Sequence, residues 1–177
     1  MQNSANGMEV RRAGLGDKLL LESLLRYYVY DFSEFETADS DRLAFDGRGD
    51  FQINIHLDAY ITDPNRWAYV IWFLGHPAGF AFINTVSHVG ETIDRNMGEF
   101  FIARKYRRHG LATSAFHHLL TLHPGRWEVA VIEPNTGARK FWPKAIQAAR
   151  KVSGFTQVHH DATAWKGPIW TFTITPE

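Results

Sequence analysis

The stretch EFFIARKYRRHGLATSAFHHLL, residues 99–120, determines how the rest of the chain is interpreted. Its opening EFFIAR is typical of a strand, and the run after Gly110 repeats apolar residues at helical spacing. The turn between them carries five cationic side chains, namely Arg104, Lys105, Arg107, Arg108 and His109. A helix that begins near Gly110 presents unpaired N–H groups and a positive dipole end, and glycine lets a ligand approach the backbone. The stretch therefore predicts a strand, an anion-binding turn and a helix, although a solvated basic turn is the commoner case on charge alone.

The pattern of apolar and turn residues on both sides predicts an alternation of strands and helices. Strands are expected over 8–13, 66–74, 78–87, 97–104, 126–132, 155–160 and 168–175, and helices over 17–32, 56–61, 111–123 and 135–151. Residues 33–54 are expected to form a loop or short helix. The strand 97–103, its helix and the strand 127–132 form a βαβ unit, which places those two strands parallel. We expect a mixed sheet with helices on its faces.

Composition restricts the protein classes that the chain can belong to. Its 177 residues, 45% of them hydrophobic, predict one domain over residues 8–177 after a flexible N-terminus of residues 1–7. Lys plus Arg and Asp plus Glu both number 19, which argues against nucleic acid or an anionic membrane as partner. The chain has no cysteine, which excludes disulfides and thiolate nucleophiles. Without a long apolar run or the apolar core of a signal peptide, we expect a cytoplasmic protein.

Two motifs resemble those of the GNAT superfamily of acyl-CoA-dependent N-acetyltransferases. The run from Arg107 to Ala112 looks like its R/Q-x-x-G-x-G/A signature, and Asn135, Ala138, Phe141 and Trp142 look like its N-x-x-A-x-x-aromatic-aromatic pattern. The order of strands and helices from Met8 to Thr175 also agrees with the family. The resemblance implies an α/β (α+β) fold with a mixed, mostly antiparallel central sheet of six to seven strands, helices on both faces, and strands 4 and 5 parallel and splayed.

The resemblance also implies acetyl-CoA as cosubstrate and a primary amine as acceptor. The residues that it assigns to coenzyme A are Phe101, Ile102, Ala103, Arg107, Arg108, His109, Gly110, Leu111, Ala112, Thr113, Asn135, Phe141 and Trp142. The backbone N–H groups of about 108–113 would bind the pyrophosphate, and the strand 100–103 would pair with the pantetheine arm.

Glu99 is the candidate general base, because it lies on the family's fourth strand, where carboxylates often act on the amine. It shares a strand face with Phe101 and Ala103. A carboxylate that merely pairs with a nearby cation is the alternative. Many family members carry a tyrosine where Trp142 stands, and indole cannot take over its role as an acid. The identity of the general acid therefore stays open. Water, Tyr69 or Tyr106 could protonate the thiolate, or coenzyme A leaves as the unprotonated thiolate.

The acceptor pocket is expected near the segment YYVYDFSEFETADSD, residues 27–41, whose aromatic and acidic side chains suit a cationic amine. The candidates are Tyr30, Phe32 and Glu34, although aromatic residues at helical spacing are mostly core. The acceptor is a small-molecule or peptide amine that the sequence does not identify. The oligomeric state stays open, and a homodimer is one possibility because dimers are common in the family.

The nine histidines do not predict a metal site. His117 and His118 diverge on a helix, and His159 and His160 alternate across a strand, so neither pair can close on one ion. A second hypothesis for the whole chain is a non-catalytic sensor or partner-binding module that keeps the acyl-CoA cradle, with Trp142 as a sign of lost chemistry.

Overall fold

The computed structural model describes residues 7–176, in which a seven-stranded sheet carries four α-helices. The strands are β1 (Met8–Arg12), β2 (Trp67–Phe73), β3 (His76–Asn84), β4 (Arg95–Ile102), β5 (Gly125–Ala130), β6 (Val152–Asp161) and β7 (Lys166–Ile174). The helices are α1 (Lys18–Ser33), α2 (Leu57–Thr62), α3 (Leu111–Leu122) and α4 (Thr136–Gln147). The expectation of a flexible N-terminus concerns residues 1–7, of which 1–6 lie outside the described residues.

The strands lie in the order β1-β2-β3-β4-β5-β7-β6. Neighbouring strands are antiparallel except β4 and β5, which are parallel and are connected through α3. The predicted mixed, mostly antiparallel sheet with one parallel pair is therefore confirmed. Within residues 7–176, no helix combines the length and the apolar character needed to cross a membrane.

Side chains that alternate along the strands build a core on each face of the sheet. On β3, Phe80 and Phe82 pack with buried residues of α1 and α2. Ala81 and Ile83 point to the opposite face, where buried residues of α3 and α4 cover the sheet. The helices thus lie on both faces, as the sequence predicts, and each residue of β4 faces either the α1–α2 side or the α3–α4 side.

The loop that was expected after α1 is present, whereas the end of α4 and the start of β6 differ from the sequence predictions. Residues 34–54 form no helix and contain one isolated bridge between Phe45 and Phe51. Helix α4 ends at Gln147 rather than at 151, and β6 begins at Val152 rather than at 155. Val152 pairs with Ile174 of β7. Strand pairing therefore extends β6 to residues that precede the strand predicted from the sequence.

The parallel strands β4 and β5 are splayed, because they pair only at Arg95 with Trp127 and at Asn96 with Glu128. A bulge begins directly after the last pair: Phe82 of β3 opposes Glu99 and Ile83 opposes Met97, which leaves Gly98 without a partner on β3. A bulge bends its strand, and here it turns β4 away from β5. A Cβ at residue 98 would lie 2.7 Å from the Asn84 side-chain nitrogen and 2.8 Å from the Tyr60 hydroxyl, so any other residue would displace this buried, hydrogen-bonded pair.

Candidate active site

The turn before α3 has the shape of an open backbone cradle. Arg108 and Gly110 both have positive φ, at 66° and 74°, and Gly110 is the N-cap of α3. A Cβ at Gly110 would meet nothing within 4 Å, so the space in front of the turn is open. Leu111 is buried against Ile102 and fixes the start of the helix. The first N–H groups of α3 have no acceptor inside the helix, which suits an anion in that space.

Two arginines of this turn are held by helix α1. Arg104 Nε donates to Asp31 Oδ1 at 2.9 Å, and the Arg107 guanidinium pairs with the same carboxylate. Arg107 Nε also donates to the carbonyl of Ile102 at 2.7 Å, which ties the turn to the end of β4. Arg108 and His109 are exposed. Asp31 is thus part of the cradle, whereas the sequence placed it only among the acidic residues near the acceptor.

A cavity of about 740 Å³ occupies the gap that opens between β4 and β5. Residues 97–100 of β4 and residues 129–132, which begin on β5, form its two strand walls, and Asn135, Ala138 and Trp142 close the α4 side. On the other side the cavity extends to α1, to residues 41–46 and 52–55, and to His88 and Trp165. The gap between the strands and the space beneath α1 are therefore one continuous cavity.

Glu99 lies in this cavity on the face covered by α1. The bulge at Gly98 puts it there, because Met97 points into the core beneath α3 and α4 while Glu99 and Phe101 point to the other side. The Tyr28 hydroxyl donates a hydrogen bond to Glu99. Burial raises the pKa of Glu99 from 4.5 to about 7, although this hydrogen bond and the charge of His88 act in the opposite direction. Glu99 can therefore gain and lose a proton near neutral pH.

Tyr28 is a positioning group rather than an acid in this arrangement. Burial, followed by the negative charge of Glu99, raises the pKa of Tyr28 well above its ordinary value. Its ring packs at 4.6 Å from Phe32 and at 5.6 Å from Phe80, measured between ring centroids. The hydroxyl stays protonated and fixes the orientation of the Glu99 carboxyl group.

The second motif forms the start of α4. The Asn135 side-chain oxygen accepts the N–H of Ala138 at 2.9 Å, so Asn135 is a helix cap that also lines the cavity. The Phe141 ring is stacked on Phe100, and the Trp142 ring packs at 5.3 Å from the Phe100 ring. These aromatic contacts hold the middle of β4 against α4.

Of the three acceptor candidates, only Phe32 lines the cavity. Tyr30 is 56% exposed and contacts Phe51, and Glu34 is exposed after the end of α1. Contact of Tyr30 and Glu34 with an acceptor stays a prediction. The two tyrosines considered as acids also lie elsewhere: the Tyr69 hydroxyl is 2.7 Å from His123 Nε2 in the core, and Tyr106 packs against Phe73.

Sequence reasoning gave no site role to Gly98 or His88 and placed Tyr28 only in the segment expected near the acceptor, because each role depends on contacts between distant segments. Gly98 carries the bulge, Tyr28 reaches Glu99 across 71 positions, and His88 reaches Glu128 across 40. The glycine inside a strand pattern was the one local signal available. Among residues 7–176, no three His, Asp or Glu side chains gather as metal ligands.

The family model described as Acetyltransferase (GNAT) family matches residues 22–146, and the chain therefore belongs to the GNAT family of acetyltransferases. An acetyltransferase from Thermus thermophilus superimposes with a TM-score of 0.64 at 14% identity, covering 93% of this chain and 95% of the other. The spermidine N-acetyltransferase from Vibrio cholerae, solved with CoA and spermine, gives 0.58 at 13% identity over 96% and 95%. An aminoglycoside acetyltransferase from an uncultured soil metagenomic sample, solved with sisomicin, gives 0.60 at 13% identity over 90% and 97%. No curated protein matches this chain in sequence at a significant level.

Proposed function

We propose that this protein transfers an acetyl group from acetyl-CoA to a primary amine by direct attack, without a covalent enzyme intermediate. The observation that carries the proposal is the continuous cavity between β4 and β5, which contains Glu99 on the strand that leads into the open turn at Gly110. A carboxylate that titrates near pH 7 meets an anion cradle in one site, which is what acyl transfer from a phosphate-bearing thioester requires.

The geometry fits coenzyme A in two places. The first N–H groups of α3, the exposed Arg108 and the space before Gly110 suit its diphosphate. Beyond Asn96, β4 and β5 do not pair within the described residues, so the β4 edge has room for the amides of a pantetheine arm. Asn135 and Trp142 line the same gap. A structural neighbour solved with CoA, the Vibrio cholerae spermidine N-acetyltransferase, is consistent with this assignment.

Glu99 is the general base of the proposed reaction. Its carboxylate takes a proton from the acceptor ammonium, and the neutral amine then attacks the thioester carbonyl, so that a C–N bond forms and the C–S bond breaks. Backbone N–H groups of β4 on the side vacated by β5 are the proposed donors to the oxyanion. Tyr28 holds the carboxyl group in position.

The departing sulfur receives no proton from Trp142, because an indole N–H is a very weak acid. A thiol has an ordinary pKa of about 8.5, so departure as a thiolate costs little near neutral pH. We therefore assign no acid to α4, and Trp142 serves to pack Phe100 and Phe116 beside the cavity.

The acceptor side of the cavity suits an amine with an apolar body. Phe32, Phe45 and Trp165 supply rings, and Asp41 and Asp46 add two carboxylates to that of Glu99. Arg42 also lines this side, but its guanidinium is paired with Glu36 at 3.3 Å. Aromatic faces and carboxylates attract an ammonium group, as expected for the small-molecule or peptide amine predicted from the sequence.

Calorimetric titration with coenzyme A and acetyl-CoA, combined with a thiol-release assay over a panel of primary amines, tests the proposal. We expect binding of both and turnover with at least one amine, while the N-acetylated form of that amine releases no thiol. Binding without turnover on any amine would favour the sensor or partner-binding module instead. Absence of binding would exclude both functions.

A further inference from the structure

The carboxylate of Glu128 lies at the point where β4 and β5 separate. It is fully buried and belongs to the last β4–β5 pair, opposite Asn96. It accepts three hydrogen bonds, from Ser87 Oγ at 2.6 Å, from the backbone N–H of His88 at 2.8 Å and from His88 Nδ1 at 2.8 Å. Burial alone raises the pKa of Glu128, but the bonds from His88 and Ser87 outweigh burial and leave the pKa below its ordinary value. Glu128 is therefore an ionised carboxylate in the protein interior.

This carboxylate fixes the proton on the imidazole of His88. A carboxylate can only accept, so the proton of the neutral ring is on Nδ1, and Nε2 carries the free lone pair. The His88 side chain is 25% exposed and lines the cavity, and its ring lies 4.4 Å from the Trp165 ring. Glu128 of β5 is hydrogen-bonded to the ring, Glu99 of β4 lines the same cavity as His88, and the charge of His88 lowers the pKa of Glu99.

The proton balance of the proposed reaction requires more than one group that can accept a proton. An ammonium group that becomes an amide nitrogen loses two protons, one before its lone pair can attack and one after the C–N bond has formed. The sulfur that leaves from the broken C–S bond takes up at most one of them. Glu99 can hold only one proton at a time, and α4 offers no titrating side chain at Trp142.

We propose that His88, oriented by Glu128, is the second proton-transfer group of this active site, an inference that rests on the proposed function. Glu99 takes the proton from the incoming ammonium, as proposed above, and Nε2 of the neutral imidazole takes the proton that leaves the nitrogen once the C–N bond has formed. His88 is thus a catalytic residue, and Glu128 is a positioning residue that acts through it. The imidazolium then returns its proton to solvent or to the thiolate.

A purely structural role for Glu128 predicts a different outcome. The same three hydrogen bonds anchor the loop between β3 and β4, so a loop anchor would affect stability and leave the pH dependence of turnover unchanged. His88→Asn separates the two roles, because an asparagine amide can still donate to Glu128 but cannot accept a proton. His159→Asn is the matched control, since His159 is half exposed, pairs with Glu133, lies on the edge strand β6 and is not among the residues that line the cavity.

The test compares the pH profiles of kcat/KM for the wild type, His88→Asn and His159→Asn with one amine, together with their melting temperatures. We expect His88→Asn to lower kcat/KM at neutral pH by about tenfold or more and to remove one ionisation from the acidic limb, whereas His159→Asn changes neither. A His88→Asn profile with the wild-type shape overturns the proposal, whatever the change in rate. A wild type without turnover on any amine refutes the proposed function itself, and this inference with it.

A spectroscopic measurement on the wild type does not depend on the folding of any variant. Long-range ¹H–¹⁵N spectra of the histidine rings report which nitrogen carries the proton. We expect the neutral ring of His88 to be protonated on Nδ1. In Glu128→Gln, we expect the ring to adopt the Nε2-protonated tautomer or a mixture of the two. A neutral ring of His88 protonated on Nε2 in the wild type contradicts the proposal.

Discussion

At the paired end of β4 and β5, Trp127 is fully buried, packs parallel to Phe172 and donates through Nε1 to the carbonyl of His123 at 2.8 Å. Beyond Asn96 the same two strands separate around a cavity of about 740 Å³. Burial acts on a titratable group at each end. It lowers the pKa of His123 to about 4 and raises that of Glu99 to about 7.

The difference shows how one physical effect serves two purposes. Desolvation disfavours the charged form of both groups. It moves the imidazole pKa away from neutrality, which leaves His123 an uncharged part of the core beside Tyr69. It moves the carboxyl pKa toward neutrality, which makes Glu99 a group that exchanges protons under working conditions. The paired end therefore holds an uncharged imidazole in the core, and the open end holds a carboxyl group that titrates near neutrality, as the proposed reaction requires.

The largest expected effect concerns the paired end. Trp127→Ala removes a fully buried ring and a buried hydrogen bond, and we expect it to lower the free energy of unfolding by about 3–5 kcal/mol. Trp165→Ala removes a ring that lines the cavity, and we expect a loss of about 1 kcal/mol. Urea denaturation of both variants measures the contrast. Equal losses would show that the two ends do not differ in packing.

The second prediction concerns stability against pH at the open end. The pKa of Glu99 rises from 4.5 to about 7 on folding, so between these values the folded state binds more protons and the free energy of unfolding falls as the pH rises. The loss reaches about 3 kcal/mol above pH 7. Glu99→Gln removes this loss and can still accept from Tyr28.

We therefore expect the stability of Glu99→Gln relative to the wild type to be near zero at pH 4.5 and to grow toward about 3 kcal/mol at pH 8. Thermal unfolding followed across this range measures it. A difference that does not vary with pH would mean that Glu99 is ionised normally in the folded protein. For His123 the sign is opposite: its lowered pKa of about 4 makes stability fall as the pH drops below 6.5.

The third prediction concerns turnover. Because Glu99 must be ionised to act as a base, the rate of the wild type should rise with pH through about 7. We expect Glu99→Gln to lower kcat by about 100-fold and to remove the ionisation of Glu99 from this rise, while coenzyme A binding changes little. Thiol release measured from pH 5.5 to 9 checks both. Near wild-type turnover at every pH would remove Glu99 from the mechanism.

The smallest of the four effects concerns the cradle. Gly110→Ala places a methyl group in the open space before α3, and we expect the affinity for coenzyme A to fall by about tenfold, or about 1.4 kcal/mol. Gly154→Ala is the control, because Gly154 of β6 also has positive φ and open space around it. Both variants carry similar backbone strain, so calorimetry isolates the effect of the cradle. Equal affinities in the two variants would argue against binding at Gly110.

The sequence predicted those features whose causes are local. Gly110 and the helical repeat after it determine the turn and α3, and the βαβ rule gives the parallel pair. Glu99 was placed on the correct strand face by alternation alone. The bulge was not predicted, because the need for glycine at 98 comes from Asn84 and Tyr60.

The sequence also did not predict which residues pair with the site residues. Nothing near Glu99 in the chain indicates Tyr28, and nothing near His88 indicates Glu128, because the sheet brings these pairs together only when it is assembled. The stretch of residues 99–120 predicted arginines around an anion-binding turn but gave no sign of a carboxylate partner. In the structure, Arg104 and Arg107 are paired with Asp31.

That pairing has a consequence for the ionic strength at which the protein works. Asp31 already occupies part of the donor set of Arg104 and Arg107. Under the proposed function, a diphosphate that reached these two arginines would therefore exchange with an internal anion instead of neutralising two unpaired cations. Exchange of one anion for another displaces fewer solution ions than neutralisation does, and added salt then opposes it less. Asp31 thus keeps the two guanidinium groups in place while it moderates their attraction for any passing polyanion.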